Sequence, residues 1–107
     1  MTIEVNRDNY EVEVLQSDLP VVVDFWGPQC KPCLALMGVV EKLDQAYSGK
    51  VKVTKLNATE NRMLCAKLRV LSLPTFLFYK RGAEVNRLVG DRIGEGDLIK
   101  AMDALLS

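Results

Sequence analysis

The run Val21-Val22-Val23-Asp24-Phe25-Trp26-Gly27-Pro28-Gln29-Cys30-Lys31-Pro32-Cys33 decides how the chain is read. Its first half is β-branched and almost wholly apolar, the pattern of a central strand covered on both faces. Its second half carries two cysteines with two residues between them, directly ahead of a segment with helical periodicity. The pair therefore falls where a strand feeds the first turn of a helix. Unpaired N–H groups and the helix dipole there favour a thiolate over a thiol, lowering a cysteine pKa from ~8.5 into a range of roughly 3.5–7.5. The thiolate is the nucleophile of disulfide exchange. With Pro32 in the first helical turn, where a missing N–H costs little, Cys30 lies at the exposed entrance and Cys33 one turn in. Cys30 is then the attacking thiol and Cys33 the resolving one.

Two blander readings of the pair are weaker. A structural zinc site takes about four N or S ligands, and the chain offers 3 Cys and no His; a metal site is not expected. A static bridge over so short a loop would constrain the unfolded chain little. The sequon Asn57-Ala58-Thr59 carries no weight without secretion.

Outward from this stretch, the 107 residues are read as one domain spanning positions 1–107, with 49% apolar and 26% charged residues and zero formal net charge, ordinary for a globular protein. No basic run or acidic tail points to nucleic acid or a charged membrane surface. Met1-Thr2-Ile3-Glu4-Val5-Asn6 lacks the basic start and apolar stretch of a signal peptide, and no apolar run approaches the ~20 residues of a membrane span. The expected location is the cytoplasm, where an exchange-active thiol pair fits a reducing compartment.

In chain order, Ile3 to Val5 reads as a short edge strand. Tyr10-Glu11-Val12-Glu13-Val14-Leu15 alternates with period two, yet positions 10, 14 and 15 also share a helical face, and pattern alone leaves both readings open. Val21 to Trp26 is the central strand, with Asp24 its anomaly. From Pro32 to Tyr47, Leu36, Val39, Val40, Leu43 and Tyr47 follow the 3.6 period, with Gly49 as C-terminal cap. Val51 to Leu56 alternates as a strand, and Asn61 to Leu68 reads as a short connecting helix. Thr75 to Tyr79 and a second strand through Val89 form a hairpin around Arg81-Gly82, and a helix follows with Leu98, Ile99, Ala101, Met102, Leu105 and Leu106. This order predicts a mixed central sheet with helices on both faces.

Over essentially its whole length the chain resembles the thioredoxin family. The landmarks are Val23-Asp24-Phe25-Trp26, the Cys30 to Cys33 pair with Pro32, Val53-Thr54-Lys55-Leu56-Asn57, Leu73-Pro74-Thr75, and Arg81-Gly82 with Gly90 behind it. The resemblance implies a three-layer α/β/α fold around a mixed five-stranded sheet, and makes the segment near Tyr10 the family's first helix. It implies a protein-disulfide reductase with a reversible Cys30–Cys33 disulfide and no cofactor. Its partners would be disulfide-containing client proteins and a thioredoxin reductase, NADPH- or ferredoxin-linked, with no nucleic acid and no membrane, and the protein a monomer. Asp24 would be the buried carboxylate serving proton transfer behind Cys33, with Lys55 on the next strand. Burial pushes a carboxylate toward its neutral form, although a structural Asp24–Lys55 pair is the competing reading. Pro74 would be cis and face the cysteines, with Leu73 offering its backbone to clients. Trp26, Gln29, Lys31, Thr75 and Gly90 complete the implied binding surface.

The departures from the family pattern sit in the site. Gln29 stands where Trp is usual, Lys31 where Gly is usual, Leu34 in place of a basic residue, Gly38 in place of a helix-kinking Pro, and Asp91 beside Gly90 in place of a small residue. Lys31 places positive charge beside a thiolate, or else is a solvated side chain. Cys65 reads as a small apolar residue rather than a regulatory thiol. Rival functions are an oxidant or isomerase with a destabilised disulfide, which a reduction potential separates from a reductase, and a binding module with incidental cysteines, which the Cys30, Cys33, Asp24 and Pro74 set opposes.

Overall fold

The Val21–Trp26 strand is the middle of the sheet, and its alternating side chains divide the core in two. The computed structural model describes residues 2–107. In order, the elements are β1 (Ile3–Glu4), a π-helical turn (Glu11–Leu15), β2 (Val21–Trp26), α1 (Lys31–Ala35), α2 (Met37–Ala46), β3 (Lys52–Asn57), a 3-10 turn (Ala58–Glu60), α3 (Arg62–Lys67), β4 (Thr75–Lys80), β5 (Ala83–Val89) and α4 (Glu95–Leu105). The strands lie in the order β1-β3-β2-β4-β5. β3 runs parallel to both β1 and β2, while β4 is antiparallel to β2 and to β5. This is the mixed sheet that the sequence predicts.

Because strand side chains alternate between faces, Val21, Val23 and Phe25 enter one cluster with Tyr10, Val14, Leu56, Cys65 and Val70. Val22 enters the other, where Val40 and Leu43 of α2 meet Phe76, Phe78, Leu98 and Met102. The segment near Tyr10 is helical: Tyr10 and Val14 are buried while Val12 stays exposed, a spacing that a strand cannot produce. The Tyr10 and Tyr79 hydroxyls, 2.8 Å apart, tie that turn to β4.

One expected helix is two. The stretch from Pro32 to Tyr47 breaks at Leu36 (φ −90°, ψ −6°), whose N–H turns back to the Cys33 carbonyl, a tightened turn that ends α1. Leu36 and Val39 still pack against the cluster beneath α2, so the apolar stripe runs unbroken across a broken helix, and periodicity could not reveal the break. Gly49, at φ +82°, lies two residues past the cap position at Tyr47.

The hairpin turn places Arg81 (φ +54°) and Gly82 (φ +79°) both in the left-handed region, as a two-residue β-hairpin loop matched to strand twist requires. Gly82 also sits under the preceding turn: a Cβ there would stand 2.7 Å from the Leu15 carbonyl oxygen. For the site, the decisive register is Phe25 opposite Thr75 and Thr75 opposite Val89. It delivers the end of β2, the start of β4 and the end of β5 to one edge of the sheet.

Candidate active site

Cys30 and Cys33 are joined as a disulfide at that edge. Cys30 is the N-cap of α1, in extended backbone conformation, and its Sγ accepts the Cys33 backbone N–H at 3.2 Å. Cys33, inside the first turn, is 2% exposed, whereas Cys30 is partly exposed. The cap position explains the asymmetry. An N-cap side chain reaches back over the helix end, and an N–H aimed at sulfur stabilises a negative charge on it.

Asp24 is 3% exposed. By strand period it points to the α2 face, into a cavity of about 210 Å³ lined by Asp24, Lys55, Met37, Val40, Glu41 and Thr2. Burial pushes its carboxyl up to about 7, and the positive charge of Lys55, its neighbour in the β2–β3 ladder, offsets only part of that. Burial away from bulk water leaves little to solvate the anion. Opposite, Glu41 is held low in pKa by the Thr2 side-chain and backbone hydrogen bonds.

The Leu73–Pro74 peptide bond is cis. Pro74 accepts the Gly90 N–H on its carbonyl at 3.0 Å, and Thr75 donates its hydroxyl to the Ser72 carbonyl at 2.6 Å. Leu73 lies against the loop before Cys30: a Cβ on Gly27 would come 3.3 Å from Leu73 Cδ1. Trp26 is partly exposed, with its indole Nε1 buried and without a partner among the described residues. Gln29 and Lys31 flank Cys30 as exposed side chains. Cys65 is buried, and burial pushes its thiol up, as suits a small apolar residue.

A redox-spaced cysteine pair at a helix entrance, a buried carboxylate with a lysine neighbour and a proline loop at the same sheet edge now stand together. A family model described as Thioredoxin matches residues 1–104. The chain belongs to the thioredoxin family. It is 41% identical over 87 residues to Thioredoxin 1 of Nostoc sp., covering 81% of each chain, and 43% identical over 89 residues to the Thioredoxin of Synechocystis sp., covering 83% of each. Against the chloroplastic Thioredoxin M-type of Spinacia oleracea it is 39% identical over 87 residues, covering 81% of this chain and 48% of that protein. The protein is accordingly a thiol–disulfide oxidoreductase, and thioredoxins act on disulfide-containing proteins and are recharged by a reductase. Among the described residues no helix is long and apolar enough to cross a membrane.

Sequence reading missed part of this environment. Glu41 and Thr2 meet across the mouth of the Asp24 cavity from α2 and the N-terminal segment, and Glu41 reads in sequence as one more charge on a helix surface. Arg87 was equally silent. Its guanidinium binds Glu84, three positions back, and the carbonyls of Leu68 and Arg69; the two carbonyl contacts span 19 and 18 positions of sequence, which no local pattern marks.

Proposed function

We propose that this thioredoxin-family protein works in the reducing direction, with Cys30 as nucleophile and Cys33 as resolving thiol. The observation that carries the assignment of roles is the asymmetry of the pair: a partly exposed N-cap sulfur that accepts an N–H, and a partner 2% exposed beside it. The Cys30 thiolate attacks one sulfur of a client disulfide, forming the mixed disulfide and releasing one client thiolate. Cys33, deprotonated, then attacks Cys30 Sγ, closing the Cys30–Cys33 disulfide and releasing the second client thiolate. Two electrons pass from the dithiol to the client, and a reductase, NADPH- or ferredoxin-linked, returns them.

Asp24 is the proton acceptor for Cys33, because a carboxyl poised at about 7 exchanges protons near the operating pH. Lys55 tunes it. Leu73, Pro74, Thr75 and Gly90 form the client-binding edge opposite Trp26, Gln29 and Lys31, with the Leu73 backbone pairing to the client chain. The protein acts as a cytoplasmic monomer of one domain. The test is trapping: Cys33→Ser incubated with oxidised insulin accumulates a mixed disulfide through Cys30, and accumulation through Cys33 in the reciprocal Cys30→Ser variant instead would reverse the roles.

A further inference from the structure

The loop that carries Leu73 and Pro74 leaves α3 through a turn that glycine ordinarily makes. α3 is capped at Leu68, after which Arg69 adopts φ +57°. Arg69 N–H donates to the Ala66 carbonyl at 3.1 Å and Val70 N–H to the Cys65 carbonyl at 2.8 Å, the paired hydrogen bonds of a Schellman closure. Val70 and Cys65 share the buried cluster, completing the apolar contact of that motif. A side chain in the left-handed region carries a steric penalty that glycine escapes, so something else must hold Arg69 there.

Arg87 of β5 supplies it. Its Nη1 donates to the Arg69 carbonyl and its Nη2 to the Leu68 carbonyl, each at 2.9 Å. Glu84 grips the other edge of the guanidinium through Nε at 2.7 Å and Nη2 at 2.8 Å. The planar fork is thereby fixed in orientation, and its charge sits at the carbonyl end of a helix, where a cation is favoured. Downstream, the loop is held by the Thr75 hydroxyl on Ser72 and the Gly90 N–H on Pro74. Arg87 anchors the upstream end. Between the anchors lie Leu71, 87% exposed, and Leu73.

We propose that Arg87 is a positioning residue for client reduction: by capping the Leu68 and Arg69 carbonyls it holds the left-handed turn at Arg69, and with it the path of the loop at 70–74. It touches neither cysteine. The proposal rests on the reading above that this loop meets the client. Without the guanidinium the turn at Arg69 keeps its Schellman bonds but loses the clamp on its two carbonyls; the loop then samples other paths, so each client encounter must first reorder it. That cost falls on binding and leaves the thiol chemistry unchanged.

Single-turnover reduction of oxidised insulin tests this with the full chain as wild type, Arg87→Ala, Glu84→Gln and the double variant Arg87→Ala, Arg69→Gly. Arg87→Ala is expected to raise the half-saturating insulin concentration about three- to tenfold with the limiting rate unchanged. Reduction of its Cys30–Cys33 disulfide by dithiothreitol, which needs no loop, also stays at the wild-type rate. Glu84→Gln shifts half-saturation in the same direction by a smaller factor. Arg69→Gly restores the double variant toward wild type, because glycine holds the turn without a clamp. Wild-type half-saturation in Arg87→Ala, failure of glycine to restore it, or a fall of both rates in step would each overturn the proposal. Amide exchange in the Cys33→Ser complex with insulin separates the two layers of argument. No protection of Leu73 even with Arg87 present would sink the client-loop reading itself, whereas equal protection with and without Arg87 would sink only the role of Arg87.

Discussion

Replacing Asp24 by Asn removes a carboxylate buried in the central strand, and the structure sets both sign and size of the effect. The folded carboxyl titrates at about 7 against an ordinary 3.8, so between these values the native state binds a proton that the unfolded chain has released. Stability therefore falls as pH rises through that window. At about 1.4 kcal/mol for each tenfold change in proton affinity, the gap corresponds to about 4 kcal/mol, fully expressed only above pH ~7. Asn carries no such penalty and differs from neutral Asp by a constant. Urea unfolding of the oxidised proteins from pH 4 to pH 8 reads the difference without interference from Cys30 and Cys33, which do not titrate as a disulfide. The advantage of Asp24→Asn over wild type should grow by about 4 kcal/mol across that range. A difference that stays flat within about 1 kcal/mol would show that Asp24 remains ionised throughout, held by Lys55, and would refute the burial argument. If Asp24 accepts the Cys33 proton as proposed, the same variant should also resolve mixed disulfides more slowly near neutral pH.

Brief iodoacetamide treatment of the reduced protein should label Cys30 before Cys33 or Cys65, as mass mapping will show, because only Cys30 combines partial exposure with an N–H aimed at its sulfur. Lys31→Gly should make the reduction potential more negative, since the lysine favours the reduced, thiolate-bearing form; an exposed charge limits the shift to about 20 mV, shrinking in high salt. A redox titration giving an unchanged or less negative value counts against that account. Gly82→Ala should destabilise by about 1–3 kcal/mol in urea unfolding, because a Cβ there meets the Leu15 carbonyl oxygen at 2.7 Å on a backbone at φ +79°; a neutral effect would mean that the hairpin turn moves freely away from Leu15.

The parts of the fold legible in sequence are those in which local chemistry and long-range packing agree. Val21 to Phe25 is apolar at every position but Asp24 because both faces of β2 are covered, and that pattern is visible without knowing the neighbours. The Tyr10 segment was undecidable because Tyr10, Val12 and Val14 satisfy a strand period, and only the burial of Tyr10 and Val14 against Tyr79 and the sheet chooses the helix. The break at Leu36 was hidden for the converse reason, since packing there preserves the stripe while the backbone turns. At the site, the cysteines announced themselves by spacing, and Asp24 by standing alone in an apolar run. Arg87 stayed invisible because its distant partners are the backbone carbonyls of Leu68 and Arg69, which no side-chain pattern records.

The departures from the family pattern can be sorted by where they fall. Gln29 and Lys31 are exposed beside Cys30, and Gly38 is exposed with open space where a Cβ would stand. None of the three displaces a buried contact. The helix bends at Leu36 with glycine, not proline, two residues on, so the bend does not depend on a proline at position 38. It follows from Leu36 donating back to Cys33 while its side chain packs below α2. What these residues alter is the surface that a client or a reductase meets: a cation next to the attacking sulfur, and an amide in place of an aromatic ring. Changes confined there are expected to act on partner choice and, through charge, on potential, whereas the buried Cys33 and Asp24 lie beneath that surface and keep their surroundings.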